Sequence, residues 1–243
     1  MPPPTRLPAL LTRAVWTGFG LSLVLAFVLQ GAEWTVEPFI LVDGLTQVMA
    51  VVVTFVSGVI HSFSRRYMAG ARRLRGFYAQ LFALTLVVLF LTATEHVFVF
   101  LVLWMVMGLL LARLIGHVRG WPEAQAAARY ARGTFLAGSG ALAVSMFLLV
   151  QNTGALRVSQ IVAGIEAVPR WVLAVSIALI VVAAMLQSAL VPFHRWLLSS
   201  MTAPTPVSAF MHAGIVNAGG VLLARFAGVV FETQAAILLV FFV

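Results

Sequence analysis

Apolar residues run in long blocks along this chain, and short polar or charged stretches punctuate them. A helix crosses a bilayer with about 20 predominantly apolar residues. On that measure, spans are predicted at roughly 10–30, 41–63, 77–94, 96–116, 133–150, 171–201 and 205–226, with an eighth apolar run starting near Ala235. The blocks are apolar all round, and the period-two alternation of a β-barrel is absent. The expected class is therefore all-α: a polytopic transmembrane helical bundle. Block 171–201 is too long for one straight span, and Pro192 falls inside it. Proline removes a backbone donor and crowds the preceding turn, so a discontinuous, broken helix is expected there. Pro204 and Pro206 open the next block, where a missing N–H costs little.

Composition agrees with this reading. Hydrophobic residues make up 62% of the 243 and charged residues 9%, against about 45–50% and about 25% in soluble domains. Mean hydropathy is +1.07. There is no cysteine, which excludes disulfides and thiolate-ligated metal or iron–sulfur sites. There is no lysine either, so the net charge of +8 rests on arginine. Those arginines gather between apolar blocks, as orientation signals do, and nucleic-acid binding is not expected. The region around Leu21–Leu29 lacks an Ala-x-Ala cleavage pattern and reads as a first span rather than a signal peptide.

Loop charges alternate. Arg6 and Arg13 precede the first block, Glu33, Glu37 and Asp43 follow it, and Arg65, Arg66, Arg72, Arg73 and Arg75 come next. Arg113, Arg119, Arg129 and Arg132 flank a later connection. The positive-inside rule then predicts a multi-pass protein of the cell (inner) membrane with a cytoplasmic N-terminus. Segments 64–76, 117–132 and 201–204 are then cytoplasmic, and 31–40 and 151–170 outside. The cluster Arg65, Arg66, Arg72, Arg73 and Arg75 serves as an orientation anchor, and is also a candidate docking surface for lipid headgroups or an acidic partner.

Ionisable groups at membrane depth carry a functional reading by default. His212 is predicted mid-span, with Ser208 one turn back on its face and Asn217 offset from it. A histidine titrates near neutral pH, although a buried one also serves as a hydrogen-bonded packing residue. Gln187 precedes the break at Pro192, and His194 and Arg195 follow it. Glu95 and His96 occupy a short interfacial turn, whose plainest reading is solvated. The candidates for a proton or ion path are thus His212, His194, Gln187, Asn217 and Glu95. No phosphate loop, dinucleotide fingerprint, nucleophile–base pair or metal-ligand spacing is present. The chain is not expected to be a catalyst on its own, nor to hold a metal or cofactor.

Residues 42–116 and 183–226 resemble the proton-conducting, antiporter-like membrane subunits. These are the large membrane-arm subunits of respiratory complex I, the large subunits of multisubunit cation/proton antiporters, and the membrane subunit of DAB-type inorganic-carbon transporters. The resemblance lies in Val42-Asp43-Gly44-Leu45, in Arg66-Tyr67-Met68, in Pro192-Phe193-His194-Arg195-Trp196 and in Ala203-Pro204-Thr205-Pro206-Val207-Ser208-Ala209. It implies a five-helix unit that the family repeats in inverted orientation. Residues 1–94 would be N-terminal transmembrane helices. Residues 95–243 would be the first such unit, C-terminally truncated, with a further chain as one source of the second. The family's usual glutamate and lysine positions hold Met105 and Gln187, while His212 matches a position that is commonly histidine. Met211-His212-Ala213-Gly214-Ile215-Val216-Asn217-Ala218-Gly219-Gly220 looks most like the carbon-transporter branch. That branch implies a large soluble zinc-dependent partner similar to carbonic anhydrases, with the zinc in the partner. The expected function is a membrane subunit coupling a proton or cation gradient to CO2/bicarbonate accumulation. The alternatives are a proton-translocating subunit of a quinone oxidoreductase or antiporter complex, and a non-conducting scaffold.

Overall fold

The computed structural model describes residues 6–230, and the apolar run from Ala235 lies outside the described residues. Among the described residues, six single helices and one interrupted segment are long and apolar enough to cross a membrane. The helices are α1 (Arg6–Leu29), α2 (Gly44–Tyr67), α3 (Leu74–Ala93), α4 (Val97–Ile115), α5 (Pro122–Thr153), the short α6 (Val158–Ala163) and α7 (Arg170–Gln187). The interrupted span follows the five-residue α8 (Arg195–Ser199). It consists of α9 (Thr205–Ala213), a 3-10 turn over Ile215–Asn217 and α10 (Ala218–Arg225), with α11 (Ala227–Val230) after it. The all-α polytopic bundle expected from the blocks is the architecture observed.

One small sheet decorates it. Strands β1 (Trp34–Val36) and β2 (Ile40–Val42) pair antiparallel, Thr35 opposite Leu41. The ribbon occupies part of a segment expected to begin the second span. Asp43 sets the true start: it is extended, and its Oδ1 accepts from Thr46 N–H at 2.8 Å, an N-cap for α2.

The expected loop 117–132 is largely helix. Pro122 stands in the first turn of α5, where its fixed φ is pre-organised, and Ala124, Ala127 and Ala131 are buried against neighbours. The charges of Arg129 and Arg132 depress hydropathy without interrupting the helix. At 32 residues α5 is about 48 Å long, well beyond a hydrocarbon core of about 30 Å. Its first turns therefore project past the apolar layer.

Small residues bring the spans together. A Cβ on Gly108 would lie 2.7 Å from the Phe135 Cβ, so only glycine lets α4 meet α5 there. Trp104, Leu111, Leu142, Ile180 and Trp196 are buried in one continuous core. Antiparallel spans sort the charges. Among the described residues, Glu33, Glu37, Asp43, Glu95 and Glu166 collect at one end, hereafter the acidic end. Most arginines collect at the other, the basic end, with Arg157, Arg170 and Arg225 as the exceptions.

Candidate functional site

Two helix interruptions meet inside the bundle. Helix α7 stops at Gln187, five residues ahead of Pro192, and Pro192 itself is an exposed loop residue. The expected break is present, but it begins earlier, and the half after it is only the short α8. Ala189, three residues before Pro192, turns into the left-handed region at φ 54° and ends the helical path. The freed carbonyls find partners. Ala184 O accepts from Ser188 N–H at 2.8 Å, Met185 O from Leu190 N–H at 3.0 Å, and Leu186 O from the Trp196 indole N–H at 2.9 Å. Trp196 is fully buried, edge-on to Phe135 at 4.8 Å.

The second interruption was not expected, because 205–226 reads as one apolar block. Helix α9 ends at Ala213, and Gly214 leaves helical geometry at φ −139°, ψ −65°. The two interruptions abut: a Cβ on Gly219 would collide with the Ser188 hydroxyl and lie 2.5 Å from Ala184 O. Glycine at the start of α10 therefore allows its backbone to rest on the last turn of α7. Gly220, next to it, faces open space.

The predicted path residues divide. Gln187 is 2% exposed, and its Nε2 has no partner. His194 is half-buried with its Nδ1 unpartnered. His212 and Asn217 lie on the outer surface of the described chain, while Pro206, Val207, Phe210 and Met211 form the buried face of α9. Asn217 also edges a cavity of about 190 Å³ lined mainly by apolar residues of α2, α3, α4, α9 and α10. Trp104, stacked on Phe100 with centroids 6.1 Å apart, forms one wall as a packing residue. Met105 points outward with Phe98 and Val102, where a methionine suits lipid.

Glu95 is not a solvated turn residue. Its side chain is 5% exposed and its Oε1 accepts from Arg225 Nη2 at 2.7 Å. Arg225 Nη1 donates to Asp43 Oδ2, also at 2.7 Å. The second oxygen of Glu95 accepts from the Ser159 hydroxyl at 2.7 Å and its N–H at 3.1 Å. Nearby, Arg157 pairs with Glu37 at 2.9 Å. One arginine thus ties the start of α2, the α3–α4 turn and the end of α10, and Glu95 extends the tie to α6. Both Arg225 Nη groups are thus paired with carboxylates, while its buried Nε has no partner.

Sequence reading missed Arg225, Asp43 as its partner, Ser159 and His61. Arg225 had a visible signal: an arginine among the carboxylates of the acidic end calls for a counter-charge. His61 had none beyond its place in an apolar block. It is fully buried, its Nδ1–H positioned to donate to Ser57 O at 2.8 Å, and Nε2 has no partner. Arg65, Arg66, Arg72, Arg73 and Arg75 are all exposed at the basic end. Among the described residues no cluster of histidine and acidic side chains could hold a metal ion.

This arrangement defines a polytopic membrane subunit built around discontinuous helices. Residues 93–243 match the family described as NADH:quinone oxidoreductase/Mrp antiporter, TM, and residues 29–78 match the N-terminus of complex I chain 5. The chain belongs to this antiporter-like membrane subunit family. It is 34% identical over 212 residues to the probable inorganic carbon transporter subunit DabB1 of Halothiobacillus neapolitanus, covering 83% of this chain and 37% of the relative. It is also 34% identical over 185 residues to NADH-quinone oxidoreductase subunit L of Mycobacterium tuberculosis, covering 76% and 29%. Among solved structures, the Mrp complex from Dietzia sp. DQ12-45-1b superposes with a TM-score of 0.79 at 28% identity, over 92% of this chain and 26% of that one. The chain spans well under half the length of each.

Proposed function

We propose that this chain is part of a membrane subunit of an energy-coupled inorganic-carbon accumulation complex. The observation that carries this reading is the similarity to carbon transporter subunits over 83% of the chain. The string Met211–Gly220 supports it. In this reading the basic end faces the cytoplasm of the cell (inner) membrane. A large soluble subunit similar to zinc-dependent carbonic anhydrases docks there and hydrates CO2 to bicarbonate. The membrane subunit couples that step to a proton or cation gradient.

Within the chain, His212 is the proposed proton carrier, with Asn217, Gln187 and His194 as polar company and Glu95 held in the acidic-end cluster. A histidine and an amide at membrane depth are poorly placed against lipid. Because the chain spans 37% of its carbon-transporter relative, further transporter helices are the proposed cover for that face. Gln187 and Met105 cannot ionise, which leaves histidine as the proposed proton-bearing side chain of this region. The test is purification from native membranes, with identification of the bound subunit and its metal. A stoichiometric soluble zinc protein supports the reading. Flavin and iron–sulfur subunits in its place would establish the quinone-oxidoreductase alternative, which the similarity to subunit L favours.

A further inference from the structure

The basic end holds a feature that neither the helix breaks nor the charge cluster uses. A cleft of about 700 Å³ lies over α4 between α3 and α5, and five arginines line it: Arg73, Arg113, Arg119, Arg129 and Arg132. No carboxylate lines it, and among the described residues none of the five arginines forms an ion pair. Gln80 also faces the cleft, and its buried Oε1 has no partner. Orientation by loop charge needs arginines near span ends. It does not need five to converge on one concavity, where each raises the cost of the next.

The electrostatic consequence is visible at His117, which also lines the cleft. Burial pushes its imidazole below the usual histidine range, and Arg73 and Arg119 lower it further, against a hydrogen bond to the Arg72 backbone that raises it.

The cleft has a tail as well as a mouth. Leu109 and Arg113 line it on α4. On the same helical face, one turn apart, stand Met105, Val102 and Phe98, all exposed. Arg132 lines it on α5, and exposed Leu136 and Phe147 continue that face into the apolar layer. The opposite face of α4, with Phe100, Trp104 and Met107, packs toward α9 and α10. The cleft is thus on the other side of α4 from His212.

We infer that this cleft is a binding site for an anionic phospholipid. The headgroup phosphate lies among the five arginines, and the acyl chains lie along the exposed strips of α4 and α5. Guanidinium forks match phosphate oxygens geometrically. A basic pocket between spans that opens onto lipid-facing apolar strips suits an anion with hydrocarbon tails better than a small soluble anion, which would leave those strips unused.

The test uses the full chain in nanodiscs of phosphatidylethanolamine doped with phosphatidylglycerol or diphosphatidylglycerol, with retained lipid counted by native mass spectrometry. Wild type should retain anionic lipid selectively. The double variant R113Q/R132Q should weaken retention by about tenfold or more. R6Q/R13Q, with the same loss of charge outside the cleft, should stay within about twofold of wild type. Equal loss in both variants would overturn the site, as would equal retention of phosphatidylethanolamine. Displacement of the lipid by millimolar phosphate or bicarbonate would assign the cleft to a soluble anion and also overturn it. So would displacement by an acidic soluble subunit. Wild-type protein gives a readout independent of folding in the variants. Anionic lipid should raise the His117 imidazole pKa by NMR titration, and an unchanged pKa would contradict the inference.

Discussion

The acidic end and the region of the helix breaks handle buried polarity in opposite ways. At the acidic end Arg225, Asp43 and Glu95 pair at 2.7 Å, and Ser159 and Thr46 take the remaining carboxylate oxygens. At the breaks three freed carbonyls of α7 have donors but no charges pair, and Gln187 Nε2 and His194 Nδ1 have no partners; at the acidic end Arg225 Nε is left over while the charges themselves are matched. A closed cluster resists rearrangement because every displaced charge loses a partner in a poorly solvated place. An open one keeps polar atoms free for something else. The contrast separates a fastener at the end of the bundle from a candidate working part within it.

The largest effect should come from opening the fastener. Arg225→Gln leaves Glu95 and Asp43 without their counter-charge, and breaking such a buried pair costs about 3–5 kcal/mol. The variant should lose its monodisperse peak in mild detergent. Arg225→Lys should rescue it only in part, since one ammonium cannot reproduce the two-pronged contact. A fully stable Arg225→Gln variant would show that the cluster holds nothing together.

Where the two breaks abut, the expected cost is smaller. Gly219→Ala must displace either Ala184 or α10, an overpacking worth about 1–3 kcal/mol. Gly220→Ala, facing open space, should leave the melting temperature unchanged or slightly raised. Equal effects at the two glycines would mean that α10 does not rest on α7 as described. Smaller still is Trp196→Phe, which removes the donor to Leu186 O and should cost about 1–2 kcal/mol in thermal stability.

The lessons for reading sequence follow from the same residues. The spans were legible because long apolar blocks leave few alternatives to a membrane helix. The break near Pro192 was legible because proline cannot continue a helix, but its starting point at Gln187 was not, since the preceding turn unwinds through Ser188–Leu190 rather than at the proline. The break at Gly214 gave no signal, as glycine is common within transmembrane helices. Arg129 and Arg132 hid the first turns of α5, because hydropathy measures lipid compatibility and not helicity. Glu95 looked solvated because its partner, Arg225, lies 130 residues away in sequence. Long-range pairing of that kind is invisible to any local window.

The contrast makes its sharpest demand at His212, where the proposed working part is exposed on this chain and tied to nothing that stability would report. His212→Gln keeps hydrogen bonding and removes titration. The decisive measurement is gradient-driven inorganic-carbon uptake by membranes carrying this variant in the assembled complex, with assembly and melting temperature followed alongside. The account predicts normal assembly and stability with uptake lost. Near-normal uptake by His212→Gln would contradict it and leave the open region, like the acidic end, a matter of structure.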